Sequence, residues 1–408
     1  MADVLELWLY GIRVATVERR RQRLRLTYTP EAREAFAPGT PLLSLSLPVS
    51  AETFGSGPAR PFLAGLLPEE DPLGAIAAEL GLRVDDAFGM LAVLGRECAG
   101  AILIQPGGDS PPSPETTRTA EPVDESQLAE LISNLRSAPL GTSTRVRLSL
   151  GGAQQKLLLT RMPDGRWGRP VDGTPSTHIL KPENRRVPRS VANEAFCMRL
   201  AKHLDVPVAD VETIEVDERP VLVVARYDRM VDADGNVQRV HQEDFCQALG
   251  YPPKRKYEED GGPGLRKLAD TLSGVDPESL PTLLAYLVVH VLVANGDAHA
   301  KNYSLLHTRD GVLSLAPLYD VMSTLRYQVE YLAMYVDAVQ RLERVTGASV
   351  INEATNWGMS RDTATRIVVD MVGRAPRAIE LASRETKDLT DEVLDTVQSQ
   401  LRALEEVF

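Results

Sequence analysis

Asn295-Gly296-Asp297-Ala298-His299-Ala300-Lys301-Asn302 follows directly on the apolar run of residues 283–293 and gathers small and polar side chains into one short loop. Within it, Asp297 and Asn302 form the pattern Asp-x-x-x-x-Asn. Phosphoryl-transfer loops use that spacing to set a carboxylate beside the acceptor hydroxyl and an amide on a metal ion. A second carboxylate, Asp320, lies inside Leu315-Ala316-Pro317-Leu318-Tyr319-Asp320-Val321. Apolar stretches thus deliver an acid twice, as the base and the metal ligand of a kinase-like site would require. A lone loop aspartate caps a helix or turn more often than it catalyses. A nucleotide site therefore needs its other parts elsewhere in the chain.

Those parts occur in order. Residues 148–159 predict strand, small-residue turn and strand, with Gly151, Gly152, Ala153, Gln154, Gln155 and Lys156 in and after the turn. Two glycines let backbone N–H groups approach phosphate oxygens closely, although an ordinary hairpin is also compatible with them. The stretch matches neither a Walker A loop nor a dinucleotide fingerprint. Lys181 ends the apolar strand Thr177-His178-Ile179-Leu180-Lys181, where an ammonium needs an anion or solvent. Glu194, near the start of a helix predicted over 193–204, is the candidate partner. Residues 221–228 predict a buried strand that leaves into a polar turn and could present backbone groups to an adenine. The His-Arg-Asp and Asp-Phe-Gly triplets of ordinary eukaryotic-type kinases are missing.

The 408 residues suffice for two or three domains with proper cores. At 43% hydrophobic and 25% charged residues the composition is that of a soluble globular protein. A net charge of −12 opposes non-specific binding to nucleic acid. Cys98, Cys197 and Cys246 are widely spaced, resemble no zinc site and imply no disulfide framework, so reduced thiols in the cytoplasm are expected. No signal peptide and no membrane span is predicted.

Residues 1–105 predict a small α+β domain. Strands are expected at 5–10, 14–17, 24–28, 42–48 and 98–104, with helices at 71–80 and 84–94. Residues 106–122, rich in Pro, Gly, Ser and Thr, predict a flexible linker. Residues 123–408 then form one large unit that opens with a helix at 124–137. Strands come first, to about residue 230, and a mostly helical part runs from about 231 to 408. It closes on an amphipathic helix at 389–407.

The chain resembles the HipA family, the serine/threonine kinase toxins of bacterial toxin–antitoxin pairs. The resemblance covers nearly the whole length. In the N-terminal part it rests on Phe62-Leu63-Ala64-Gly65-Leu66-Leu67-Pro68-Glu69 and Gly95-Arg96-Glu97-Cys98-Ala99-Gly100-Ala101. Further on it rests on Ser149–Lys156, Ile179-Leu180-Lys181-Pro182, Asn193-Glu194, Arg226-Tyr227-Asp228-Arg229, Gln242-Glu243-Asp244-Phe245, the Asp297 loop and Leu318-Tyr319-Asp320-Val321.

It implies an α+β, two-lobed protein-kinase-like fold with a small N-terminal α+β domain and a mostly helical C-terminal lobe. It also implies Asp297 as catalytic base, Asn302 and Asp320 as ligands of Mg²⁺, and Lys181 on the phosphates of ATP. The loop of Gly151, Gly152, Ala153, Gln154, Gln155 and Lys156 would cover those phosphates. Ala225, Arg226 and Tyr227 would form the hinge, His299 would lie beside the nucleotide, and Lys301 and Tyr319 would complete its contacts. Ser149 falls on the family's inhibitory autophosphorylation position. Gln155 stands where the family often has Glu, and Ala225 where a hinge Glu is common. The implied partners are a HipB-like helix-turn-helix antitoxin, operator DNA only through that antitoxin, and a cytosolic protein substrate, with the translation machinery as a candidate class. A catalytically idle co-regulator that binds an antitoxin is the alternative, and a small-molecule kinase a weaker one.

Overall fold

A computed structural model of the chain describes residues 3–110, 120–135, 150, 154–171, 173–184, 187–233 and 236–407. The expected meander forms from Val4–Leu9 (β1), Ile12–Arg20 (β2) and Arg23–Tyr28 (β3). Period-two alternation sends Leu5, Leu7, Val17, Leu24 and Leu26 inward. Leu103–Pro106 (β4) adds beside β1, giving the antiparallel order β3-β2-β1-β4. Pro30–Ala35 (α1), Ser56–Gly65 (α2), Glu70–Glu79 (α3) and Ala87–Leu94 (α4) accompany this sheet. Their core is centred on Phe62, Leu63, Met90, Leu91 and Ile104.

Two strand expectations fail here. Residues 42–48 form bends and turns around a single bridge, Ser44 to Leu47. Their Leu/Ser alternation has another cause, since Ser44 and Ser46 hydrogen-bond to Glu243 and to the Gln247 carbonyl. The strand expected from residue 98 begins only at Leu103. The end of the expected linker is also ordered differently, because Ala120–Val123 (β5) is a strand. Residues 111–119 of that stretch, and 136–137 of the next expected helix, lie outside the described residues.

Glu125–Ser133 (α5) opens with an Asp124/Gln127 capping box. Leu157–Arg161 (β6), Trp167–Pro170 (β7), His178–Pro182 (β8), Val211–Val216 (β9) and Arg219–Ala225 (β10) join β5 in a six-stranded sheet, ordered β5-β7-β6-β8-β10-β9. Ser190–His203 (α6) contacts β9 and β10 and is buried on nearly all sides. It also packs against the helical part of the chain.

That part contains Phe245–Ala248 (α7), Leu265–Val275 (α8), Leu280–Leu292 (α9), Gly347–Asn356 (α10), Arg361–Glu385 (α11) and Asp391–Glu405 (α12). The apolar helix α9 is buried all round, as a helix without a polar face must be. α11 packs on both α6 and α9. Val393, Val397 and Leu404 of α12 face the same core. The helical part is less purely helical than its sequence predicts. Arg229–Val231 (β11) pairs with Val237–Arg239 (β12), and His241–Asp244 (β13), Ser304–His307 (β14) and Leu313–Leu315 (β15) form a small sheet. Tyr331–Val336 (β16) pairs with Val339–Arg341 (β17). Strands this short carry too little periodicity to register in sequence.

Buried charge ties the N-terminal sheet to the rest. Glu97 accepts from Arg226 Nη1 at 3.1 Å, Arg229 Nη2 at 2.9 Å and Arg239 Nη2 at 2.6 Å. Asp228 binds Arg226 Nη2 at 2.7 Å and accepts from the Gly100 N–H at 2.7 Å. Burial works against the Glu97 charge, but the arginines outweigh it and hold the carboxyl at about 2. Losing one partner of such a set leaves an uncompensated buried charge. Gly100 lies at φ +73°, and a Cβ there would meet the Gln242 backbone nitrogen at 2.6 Å. Gly100→Ala is therefore expected to destabilise the fold by about 1–3 kcal/mol through strain and overpacking. Thermal unfolding would read this as a lowered Tm, and an unchanged Tm would show that the junction yields freely.

Candidate active site

The Asp297 loop is fixed by its own polar side chains. α9 stops at Val293, and Ala294 takes a left-handed φ of 53°. Asn295 then accepts from the Asp297 N–H at 3.0 Å and donates to His290 Nδ1 at 3.1 Å. The Gly296 N–H donates to Thr324 Oγ1 at 2.7 Å. The Asp297 carbonyl accepts from the His299 N–H at 2.8 Å and from Asn302 Nδ2 at 3.2 Å. Asp297 and Asn302, distant by spacing alone, are thus bonded across one turn.

The Asp297 carboxylate accepts from the Tyr257 hydroxyl at 2.9 Å. Burial pushes its pKa up, Asp320 and Glu70 add to the rise, and Tyr257 and Lys256 oppose it. The outcome is about 6. The His299 ring meets the Tyr257 ring edge-on at 5.3 Å between centroids. Burial, helped by Lys256, lowers His299 to about 3, so the imidazole is neutral, and its buried Nδ1 has no hydrogen-bond partner among the described residues.

Opposite stands an ion triad. Lys181 Nζ, at the end of β8, lies 2.7 Å from Glu194 Oε1 on α6 and 2.6 Å from Asp320 Oδ1. Burial disfavours charge on Lys181, but both carboxylates outweigh it and keep the ammonium protonated. Burial also acts to raise Asp320, yet Lys181 dominates and holds it at about 2. Asp320 adopts φ 59°, an uncommon left-handed setting for a non-glycine residue. Asn193, one residue before Glu194, secures the following segment. Its amide donates to the Ser323 carbonyl at 2.8 Å and accepts from the Ser323 N–H at 2.9 Å. Lys156 lies in the same region, lowered to about 8 by burial and then by Lys181.

One cavity of about 870 Å³ collects these groups. Gln154, Gln155, Lys156, Lys181, Ala225, Arg226, Tyr227, Asp297, His299, Lys301, Asn302, Tyr319 and Asp320 all line it. Ser149, Gly151, Gly152 and Ala153 lie outside the described residues. Some lining groups are already engaged. The Arg226 guanidinium is held by Glu97, Ser176, Asp228 and the Cys98 carbonyl, and its N–H donates to the Thr177 carbonyl. The Ala225 N–H donates to the Asp210 carbonyl. Lys301 Nζ is bound to Asp244 at 2.5 Å, and the Tyr319 hydroxyl to the Lys301 carbonyl at 2.7 Å. Sequence reasoning missed Tyr257, Lys256 and Glu69, which meet the loop from far along the chain, and missed the clamp made by Asn193.

The sequence profile of the HipA-like C-terminal domain matches residues 148–379, more than half of the chain. That of the HipA N-terminal domain matches residues 5–105. The chain is 39% identical to Y4mE of Sinorhizobium fredii, which carries a provisional kinase name, over 85% of this chain and 84% of that protein. It is 30% identical to the serine/threonine-protein kinase toxin HipA of Shewanella oneidensis, over 83% of this chain and 80% of the toxin. The solved structure of Shewanella oneidensis HipA with HipB and operator DNA superposes with a TM-score of 0.82 at 26% identity, covering 98% of this chain and 95% of that one. The similarity to these kinases identifies an enzyme of the serine/threonine protein kinase class. The chain belongs to the HipA family.

Asn193 supplies a test of how the site is braced. Asn193→Ala strands the fully buried Ser323 backbone groups. Each unmet buried group costs about 1–3 kcal/mol, so a clear fall in Tm is expected. Retention of the wild-type Tm would mean that water replaces the clamp.

Proposed function

We propose that the chain is an ATP-dependent serine/threonine protein kinase acting as the toxin of a toxin–antitoxin pair. The observation that carries this reading is the convergence of Asp297, Asn302, Asp320 and Lys181 on one cavity. On this reading the six-stranded sheet with α6 forms one lobe, the helical part from about residue 231 the other, and the exit of β10 the hinge.

The cavity residues suit Mg-ATP. Lys181 and Lys156 offer positive charge to phosphates, and Asp320 is 45% exposed toward the open space. Mg²⁺ characteristically takes one or two carboxylates together with phosphate oxygens, which Asp320 with Asn302 satisfies. Bound there, Mg-ATP would supply the γ-phosphoryl group and the neutralising cation. Asp297 takes the proton of the acceptor hydroxyl as that oxygen bonds to phosphorus and ADP departs. Tyr257 engages one Asp297 oxygen, which orients the other toward the acceptor.

A positioned general base contributes about 10²–10⁴ in rate. Asp297→Ala is expected to lose that factor with the fold intact, measured as labelling of acceptor protein in a lysate with γ-labelled ATP. Undiminished labelling would overturn the mechanism. The base must be ionised to act and titrates near 6. kcat/KM should therefore be flat at neutral pH and fall about tenfold per unit below about 6. A profile flat to pH 4.5 would exclude Asp297 as the base.

Self-inhibition at Ser149 belongs to the same reading. Ser149 precedes Gly151-Gly152, and a phosphate there adds about −1.5 to −2 charges, which would repel the γ-phosphate. Mass spectrometry after incubation with Mg-ATP should find phosphate on Ser149, with ATP affinity reduced in that form. Full affinity in the phosphorylated protein would reject the switch. The likeness to HipA in its complex with HipB and operator DNA supports a small DNA-binding antitoxin as partner. The net charge of −12 suits indirect rather than direct contact with DNA.

A further inference from the structure

Glu69 belongs to the N-terminal sheet-and-helix unit, yet its carboxylate reaches the Asp297 loop. It is the N-cap residue of α3, but its side chain makes no capping hydrogen bond there. Its Oε2 accepts instead from Lys256 Nζ at 3.0 Å, and its Oε1 lies 3.8 Å from Lys301 Nζ. The three side chains are only 10%, 9% and 5% exposed. Both lysines are structurally part of the loop. Lys301 lies inside it, between Asp297 and Asn302. Lys256 accepts the Ala300 N–H through its carbonyl at 3.3 Å. It is followed directly by Tyr257, whose hydroxyl donates to Asp297.

Two buried ammonium groups side by side would repel each other and pull the loop apart. Asp244 answers Lys301 at 2.5 Å, and Glu69 answers Lys256. Burial works to raise the Glu69 carboxyl, but Lys301 and Lys256 prevail and hold it below its usual range, so the charge is present.

We infer that Glu69 is a positioning residue for phosphoryl transfer, fixing the Asp297 carboxylate through Lys256 and Tyr257 from the N-terminal unit. The inference rests on Asp297 being the base. The N-terminal unit then completes the active site and is more than an appended surface. Glu69 borders the cavity, but its carboxylate is spent on the two lysines, so the role inferred for it is read in kcat, through the placement of the base, and not in nucleotide affinity. Displacing a reacting group by about 1 Å costs on the order of 10²-fold in rate.

The test uses the full-length chain, Mg-ATP and a serine peptide chosen from an array on which the wild type acts. Glu69→Ala should lower kcat about 10- to 100-fold while KM for ATP stays within about threefold. Glu69→Gln keeps an oxygen that can accept from Lys256 and should fall between wild type and Glu69→Ala. The double variant Glu69→Ala/Lys256→Met should lose no more than the worse single variant, because residues acting as one unit are not additive. A kcat for Glu69→Ala near that of the wild type overturns the inference. So does a loss carried by KM for ATP, or full additivity in the double variant. If Glu69→Ala fails to fold, Glu69→Gln decides, and an unchanged kcat there is equally fatal. A wild type that labels no acceptor would overturn the kinase reading itself, and the wild-type control separates that outcome from the others.

Discussion

The Lys181 ammonium, held between Glu194 and Asp320, is the constraint on which the rest of the structure depends. A lysine only 9% exposed cannot stay charged without anions, and both anions come from other elements. The sheet strand β8, the buried helix α6 and the segment after β15 must therefore meet to within hydrogen-bond distance. The two partners are unequal. The Glu194 side chain is 2% exposed and immobilised in a helix whose surroundings are apolar. The Asp320 side chain is 45% exposed and faces the cavity. Glu194 thus fixes where the ammonium sits, and Asp320 is the partner that can be exchanged. The Asn193 clamp on Ser323 ties the two together, so that the helix presenting Glu194 also sets the chain just beyond Asp320.

Buried charge also governs how the N-terminal unit attaches. Glu97 is wholly buried and is met by Arg226, Arg229 and Arg239, and Glu243 by Ser44, the Leu45 N–H and His307. An apolar interface would tolerate sliding by a residue, whereas a buried acid left without its donors would cost several kcal/mol. Such junctions define register more than they add stability. Arg226 follows the strand proposed to lead into the hinge, so its geometry is set by a carboxylate from the N-terminal unit.

What sequence discloses and what it hides divide along the same line. The Asp297 loop, Lys181 and Asp320 are legible because each places a charge next to an apolar run, a local contradiction that only a site or a partner resolves. Tyr257, Lys256 and Glu69 present no such contradiction. A tyrosine 40 residues before Asp297, and a glutamate 187 residues before the lysine it binds, acquire meaning only through folding. Residues 42–48 show the opposite failure. Their alternation is genuine, but the serines face polar groups of another part of the chain instead of solvent on a strand. Period-two patterning reports which faces differ, and a strand is only one way to produce that difference.

The two aspartates of the cavity illustrate how environment divides labour between identical side chains. Asp320 sits against Lys181 and is held at about 2, so it stays a carboxylate under all physiological conditions. Asp297 has burial and the neighbouring charges of Asp320 and Glu70 acting against it, and it rises to about 6. A permanently ionised acid suits a cation, and an acid that titrates near neutrality suits proton transfer; separated pKa values of this kind are how paired carboxyls acquire different roles. Asp320 sustains the difference, because the charge it retains helps to raise Asp297. The ion triad that organises the fold therefore also tunes the proposed base across the cavity. A change at Lys181 would disturb both ends of the site, because freeing Asp320 from its ammonium alters the field at Asp297.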